Sequence, residues 1–214
     1  MNASKFFLLP LCLAGTAAVA GSLSVTIKDS KGAPVSDAVV YAKSGNSSSR
    51  AGKQTVIDQQ NKQFIPYVTA VQVGTSILFP NRDDIRHHVY SLSPAKKFEL
   101  PLYAGIPAAP VVFDKEGFVT LGCNIHDWMI AYVAVLATPY FQVSGADGRV
   151  ALGGLPPGHY SVAVWHPLIK GAPEQFAQSV DLSGGGVSEL TFKLDLKPDF
   201  RAKRAPGLST GGYR

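Results

Sequence analysis

Sulfur is scarce in this sequence, which has two cysteines and two methionines among 214 residues. One of each lies within the first twelve positions, so Cys123 and Met129 stand alone in the rest of the chain. A lone cysteine there excludes a disulfide framework within one chain. Both sulfur residues fall in Leu-Gly-Cys-Asn-Ile-His-Asp-Trp-Met, residues 121–129, with His126 midway between them. We call residues 121–129 the sulfur-rich segment.

Long apolar runs are also lacking, and no stretch is long enough to be predicted to span a bilayer. The N-terminus has Lys5, an apolar stretch over residues 6–13, and an A-x-A pattern at Ala18-Val19-Ala20. These features predict a signal peptide over residues 1–20, with the mature chain beginning at Gly21. We therefore expect an exported protein, periplasmic or secreted. A single cysteine in an oxidising compartment is expected to be intermolecular, reactive or bound to a metal.

A basic face is absent from the body of the chain, although the formal net charge is +5. The excess lies mainly in residues 197–214, which carry five basic residues against Asp199. This tail is rich in Gly, Pro and Ser and is predicted to be disordered. Residues 21–196 are formally neutral, which argues against a nucleic-acid partner.

Apolar and polar residues alternate along much of the chain, which predicts an all-β fold. Residues 130–136 form a continuous apolar run, as expected for a fully buried strand. Residues 96–109 are predicted to be a long connection. Other strands are predicted at 22–28, 38–42, 64–73 (interrupted at Pro66), 76–79, 85–92, 117–121, 140–143, 149–152, 160–165 and 189–194.

Turn motifs flank the middle of the chain: Gly32-Ala33-Pro34-Val35 on one side, Asp147-Gly148-Arg149 and Leu155-Pro156-Pro157-Gly158 on the other. These segments resemble a carboxypeptidase regulatory-like domain, a small transthyretin-like β-sandwich. The resemblance implies one discontinuous sandwich, residues 22–50 and 139–196, with residues 54–138 inserted as a second domain. The alternative is a series of consecutive β-modules.

The residue types in the sulfur-rich segment predict a metal site. A thiolate, an imidazole and a thioether form a softer set than zinc usually receives, and Met is seldom a zinc ligand. Two His and one Cys in a plane with a weak axial Met are typical of blue-copper sites. The β-rich flanks favour a loop between two strands, and a further His is needed from a neighbouring strand. The pair His87 and His88 is the candidate.

Three upstream elements complete a family pattern: Gly74-Thr75, Phe79-x-Asn81 and His87-x-Val89. With the Cys-x-x-His-x-x-Met spacing and the aromatic residue before Met129, they resemble the cupredoxins, especially the plastocyanin and amicyanin-like group. The chain is also similar to exported proteins labelled methylamine-utilisation proteins. The resemblance covers about residues 60–137 and implies a Greek-key sandwich binding one copper ion per chain.

Periodicity alone leaves His87 and His88 equivalent, since either face of their strand could point inward. The resemblance selects His87, so it implies His87, Cys123, His126 and Met129 as copper ligands. His88 then occupies the position of a family Asn that braces the ligand loop. Three further residues are expected around the ligands, where they would orient or shield them: Asn81, Asp127 and Trp128.

The resemblance implies a one-electron carrier rather than an enzyme. Its redox partner would be a protein such as a cytochrome or a periplasmic dehydrogenase. The chain has no Cys-x-x-Cys-His haem motif and no second cysteine for a dinuclear copper centre. Two alternatives remain open at this point: a copper-binding or delivery module without electron transfer, and a structural β-protein without metal.

Overall fold

The computed structural model describes residues 20–45, 53–107 and 109–199. The predicted signal peptide up to residue 19 and the predicted tail from residue 200 lie outside the described residues. Within them the chain is built of strands and one short 3-10 helix, Pro173–Phe176, so the predicted all-β class is confirmed. No helix in these ranges is long and apolar enough to cross a membrane. The strands are β1 Gly21–Asp29, β2 Val39–Lys43, β3 Thr55–Val56, β4 Asp58–Gln60, β5 Gln63–Ile65, β6 Val68–Gln72, β7 Thr75–Leu78, β8 His87–Ser93, β9 Lys96–Tyr103, β10 Val111–Phe113, β11 Gly117–Cys123, β12 His126–Leu136, β13 Phe141–Val143, β14 Arg149–Leu155, β15 His159–Trp165, β16 Gln178–Asp181 and β17 Gly186–Leu194.

The two flanking segments pair with each other to form two sheets, in the orders β14-β1-β17 and β13-β2-β15-β16. β1 alternates buried and more exposed residues, which places Leu23, Val25 and Ile27 in a core between the sheets. The Asp147-Gly148 turn requires glycine, because Gly148 has a φ of +66° and an added Cβ would lie 2.5 Å from the carbonyl oxygen of Ile27.

The middle segment forms a five-stranded sheet, β6-β12-β11-β8-β9, a three-stranded sheet, β10-β7-β3, and the hairpin β4-β5. Its residues build a second core that includes Phe79, Phe113 and Leu121. The chain thus has two cores, and Val68, Ala134 and Leu136 of the middle segment belong to the core of the flanking sheets. The sandwich architecture is as predicted.

Strand β12 explains why the sequence is apolar without interruption near residue 130. Val133 and Val135 enter the core of the middle segment, whereas Ala134 and Leu136 enter the core of the flanking sheets. Since both faces of the strand are covered, no polar alternation is left at these positions.

An aromatic stack joins the two sets of sheets. The Phe118 and Trp165 rings lie 4.4 Å apart and nearly parallel, and Tyr132 meets Trp165 edge-on at 6.1 Å. Lys43 and Glu116 add an ion pair across the same junction at 2.6 Å. Phe118 therefore packs at this junction.

The prediction of a long connection over residues 96–109 was wrong. Residues 96–103 form β9, which pairs with β8 at the edge of the five-stranded sheet. Pro101 had suggested a break, but an edge strand tolerates proline because one side of the strand makes no ladder hydrogen bonds. The short strands β3, β4, β10 and β16 were not predicted from the sequence.

Candidate metal centre

Most of the sulfur-rich segment belongs to two paired strands, and only Asn124 and Ile125 form the turn between them. Strand β11 continues through Cys123, strand β12 begins at His126, and the two residues are cross-strand partners. The register then shifts, so that Gly122 pairs with Ile130 and the residues between His126 and Ile130 form a bulge. A bulge redirects side chains out of the usual alternation. The strand predicted at 117–121 thus continues through Gly122, which leaves room for Tyr90, whose ring would lie 3.0 Å from an added Cβ.

Three side chains converge at this turn: His87 from β8, Cys123 from β11 and His126 from β12. The Sγ atom of Cys123 lies 3.8 Å from Nδ1 of His87 and 3.7 Å from Nδ1 of His126. The candidate ligand atoms of all three residues lie within 4.8 Å of one another. The two imidazoles therefore present the same ring nitrogen to one thiol.

Burial differs between the two histidines. His87 is fully buried and Cys123 is 4% exposed, whereas His126 is partly exposed. Met129 is 1% exposed and belongs to the same core as Cys123. The group therefore has a buried interior side, and His126 is the member nearest to solvent.

The separations between these donors can be compared with those around a metal ion. Thiolate and imidazole bind zinc at about 2.3 and 2.0–2.1 Å, which at angles of about 120° places sulfur and nitrogen about 3.7–3.8 Å apart. The measured separations are 3.8 and 3.7 Å. Both sulfur–nitrogen separations therefore fit a thiolate and two imidazoles that share one metal ion.

Asp83 holds the far side of the buried imidazole. Nε2 of His87 lies 2.7 Å from Oδ2 of Asp83, and the side chain of Asp83 is only 11% exposed. The backbone amides of Asn61 and Lys62 donate to the two carboxylate oxygens at 2.6 and 2.9 Å. Burial opposes ionisation of Asp83, yet the hydrogen bonds from His87, Lys62 and Asn61 hold its pKa below the usual value.

Asn81 braces the loop that leads to His87. Its Nδ2 donates to the carbonyl oxygens of Ile85 and Tyr103 at 2.8 and 2.9 Å, and its Oδ1 accepts from the amide of Asp83 at 3.0 Å. Asn81 is 5% exposed, so these bonds are shielded from water. Its contacts are with the backbone around Asp83 and His87.

The imidazole of His88 turns away from the three-residue cluster. Its Nε2 pairs with Oε1 of Glu99 at 3.0 Å, on the opposite face of β8 from His87. The backbone carbonyl of His88 accepts a hydrogen bond from the amide of Asn124 at 3.3 Å. The bracing contact to the turn is thus made by the main chain at position 88 and does not depend on the side chain.

Trp128 lies against His126, and Asp127 points to solvent. The Trp128 and His126 ring centroids are 5.1 Å apart. Burial lowers the pKa of His126 below its usual value, and His87 and Lys62 add to this effect. Asp127 is exposed, and within the described part of the chain no hydrogen bond is found between it and His126.

Asp83 was not among the residues singled out from the sequence. The sequence could have indicated a carboxylate near His87, because a histidine that binds a metal commonly donates its second ring N–H to a carboxylate. Two carboxylates, Asp83 and Asp84, precede His87 by four and three positions. The spacing did not show which of the two would turn inward.

Comparisons with known proteins find likeness only at the level of three-dimensional structure. No family model matches the sequence, and no curated protein matches it. A copper-containing nitrite reductase from Thermus scotoductus is 23% identical over 38% of this chain and 22% of its own, with a TM-score of 0.36. A purple cupredoxin from Nitrosopumilus maritimus is 25% identical over 39% of this chain and 98% of its own, with a TM-score of 0.34. An amicyanin variant in the Cu(I) form is 21% identical over 38% of this chain and 80% of its own, with a TM-score of 0.35.

These structural neighbours include cupredoxins, and each is similar to less than half of this chain. The resemblance of the flanking sandwich to a carboxypeptidase regulatory-like domain stays a prediction.

Proposed function

We propose that His87, Cys123, His126 and Met129 hold one copper ion, and that the protein is an exported one-electron carrier. The observation that carries this proposal is the convergence of two imidazole Nδ1 atoms on a single thiol, at 3.8 and 3.7 Å. A set of two imidazoles, a thiolate and a weakly binding thioether is the donor set of blue-copper sites.

Copper is favoured over zinc by the chemistry of the donors. Met129 is buried in the same core as Cys123, and its thioether would add a soft donor that zinc seldom accepts. Bound copper would supply the chemistry of a one-electron couple. Within the described residues, Cys123 is a free and buried cysteine. Binding to a metal would account for a cysteine without a disulfide partner in an exported protein.

The protein frame would keep the ligands in place in both oxidation states. His87 and Cys123 lie on adjacent strands, and Val89 and Cys123 are cross-strand partners. Ligands on paired strands are held more rigidly than ligands on free loops. The partly exposed His126 gives electrons the shortest way out to a partner protein. That partner would be a cytochrome or a periplasmic dehydrogenase.

Electron transfer can be separated from copper delivery by experiment. A carrier would show a reversible one-electron potential and would keep its copper through repeated reduction and oxidation. Potentiometric titration of the loaded protein, with copper measured before and after, tests this. Release of copper on each reduction would support a delivery module instead, and failure to bind copper would contradict both.

We propose that the signal peptide ends at Ala20, so that Gly21 is the first residue of the mature protein. Gly21 begins β1 and pairs with Leu155 and Gly186, so cleavage there would keep the whole strand. N-terminal sequencing of protein recovered from the periplasmic fraction tests this. Protein that keeps residues 1–20 and stays in the cytoplasmic fraction would contradict export.

A further inference from the structure

We propose that Asp83 is the positioning residue of His87, and that its carboxylate lowers the reduction potential of the copper site. The inference rests on the proposed copper function. It concerns a residue on the far side of the imidazole, outside the set of side chains that would touch the ion.

The hydrogen bond fixes which nitrogen of His87 carries the proton. Oδ2 of Asp83 lies 2.7 Å from Nε2, and a carboxylate can only accept. Nε2 must therefore donate, which leaves the lone pair of Nδ1 free on the side that faces Cys123, at 3.8 Å. A bond from the second ring nitrogen to a carboxylate sets the tautomer and ring orientation, and it makes the ligand more basic.

Backbone amides hold the carboxylate of Asp83 in place. The amides of Asn61 and Lys62 donate to Oδ1 and Oδ2 at 2.6 and 2.9 Å. Asn61 and Lys62 have φ angles of +56° and +57°, the conformation of a tight turn between β4 and β5. With three donors on its two oxygens, Asp83 has little freedom to leave His87.

The charge of Asp83 acts where water screens it weakly. His87 is fully buried and the Asp83 side chain is 11% exposed, so the effective dielectric constant between them is low. A fixed negative charge behind one ligand stabilises Cu(II) more than Cu(I), because Cu(II) carries the larger positive charge. The neighbouring Asp84 is exposed, and solvent screens it.

The test compares Asp83→Asn with Asp84→Asn, which removes the same charge one position away. Cu(II) and Cu(I) affinities are measured by competition with chelators, and potentials by titration. For Asp83→Asn we expect Cu(II) affinity to fall by about 10- to 100-fold, the range seen for partners of metal ligands. We expect Cu(I) affinity to fall less, and each tenfold difference raises the potential by about 59 mV. Equal potentials in the two variants would overturn the proposal.

A measurement on the metal-free wild-type protein covers the case in which Asp83→Asn fails to fold. The 15N chemical shifts of His87 should show a proton on Nε2, and a proton on Nδ1 would overturn the proposal. The copper function is tested separately. If the wild-type protein binds no copper, the proposed function fails. If it binds copper but the two Asn variants behave alike, only the role of Asp83 fails.

Discussion

The indole Nε1 of Trp128 donates a hydrogen bond to the carbonyl oxygen of Lys62 at 3.2 Å. The amide of the same Lys62 donates to Asp83, which in turn holds His87. The Trp128 ring lies 5.1 Å from His126. The turn between β4 and β5 therefore contacts both Asp83, which pairs with His87, and Trp128, which packs against His126. This turn lies about sixty residues before the sulfur-rich segment in the chain.

Trp128→Phe should loosen the His126 side of the site without abolishing it. The variant keeps an aromatic ring but loses one neutral hydrogen bond, which contributes about 0.5–1.5 kcal/mol to stability. We expect a small fall in the free energy of unfolding and faster release of copper to a chelator. Trp165→Phe is the matched control, because Trp165 stacks on Phe118 at the junction of the sheets. Equal release rates in the two variants would contradict this role.

His87→Ala and His88→Ala should differ sharply in copper binding, although the residues are adjacent. His87 points into the cluster with Cys123, whereas His88 pairs with Glu99 on the other face of β8. We expect His87→Ala to remove the visible absorption of the copper site and His88→Ala to retain it. Circular dichroism of both metal-free variants serves as the folding control. A retained spectrum in His87→Ala would show that the ligand had been assigned wrongly.

Met129 offers a test in which packing and ligation can be separated. Met129→Leu keeps the buried volume and should cost less than about 1.5 kcal/mol. Met129→Ala leaves a cavity and should cost about 2–5 kcal/mol. If the thioether is an axial ligand, both variants should bind copper with a raised potential, because Cu(II) loses a donor. An unchanged potential in Met129→Leu would assign Met129 to the core alone.

Copper should stabilise the folded protein by mass action. At a free concentration one hundred times the dissociation constant, a ligand specific for the folded state adds about 2.7 kcal/mol. We therefore expect denaturant melts with copper to shift to higher midpoints in the wild type. The shift should be lost in Cys123→Ser, which keeps the shape of the side chain. An equal shift in Cys123→Ser would indicate binding elsewhere.

The alternation of apolar and polar residues predicted the fold class, and the scarcity of sulfur residues pointed to the candidate site. Alternation located the main strands, and the concentration of sulfur residues near His126 pointed to the turn. Strand β9 was not predicted, because Pro101 was interpreted as part of a connection between strands. The turn is shorter than predicted, because strands were predicted to end at residue 121 and to resume at residue 130, whereas β11 reaches Cys123 and β12 begins at His126.

The contacts around the imidazoles could not be predicted, because they depend on tertiary register. Asp83 and Asp84 are indistinguishable in sequence, and the fold turns only Asp83 toward His87. The turn at Asn61 and Lys62 shows no local signal of its distant contacts with Asp83 and Trp128. The brace expected from the side chain at position 88 is supplied by the backbone carbonyl there.

The most direct test of the copper proposal is a titration of the metal-free protein with Cu(II), followed by absorbance and electron paramagnetic resonance. The proposal predicts one equivalent of copper, an intense thiolate-to-copper absorption band, and loss of that band in Cys123→Ser. Absence of the band from the wild-type protein, or a band that survives in Cys123→Ser, would contradict it.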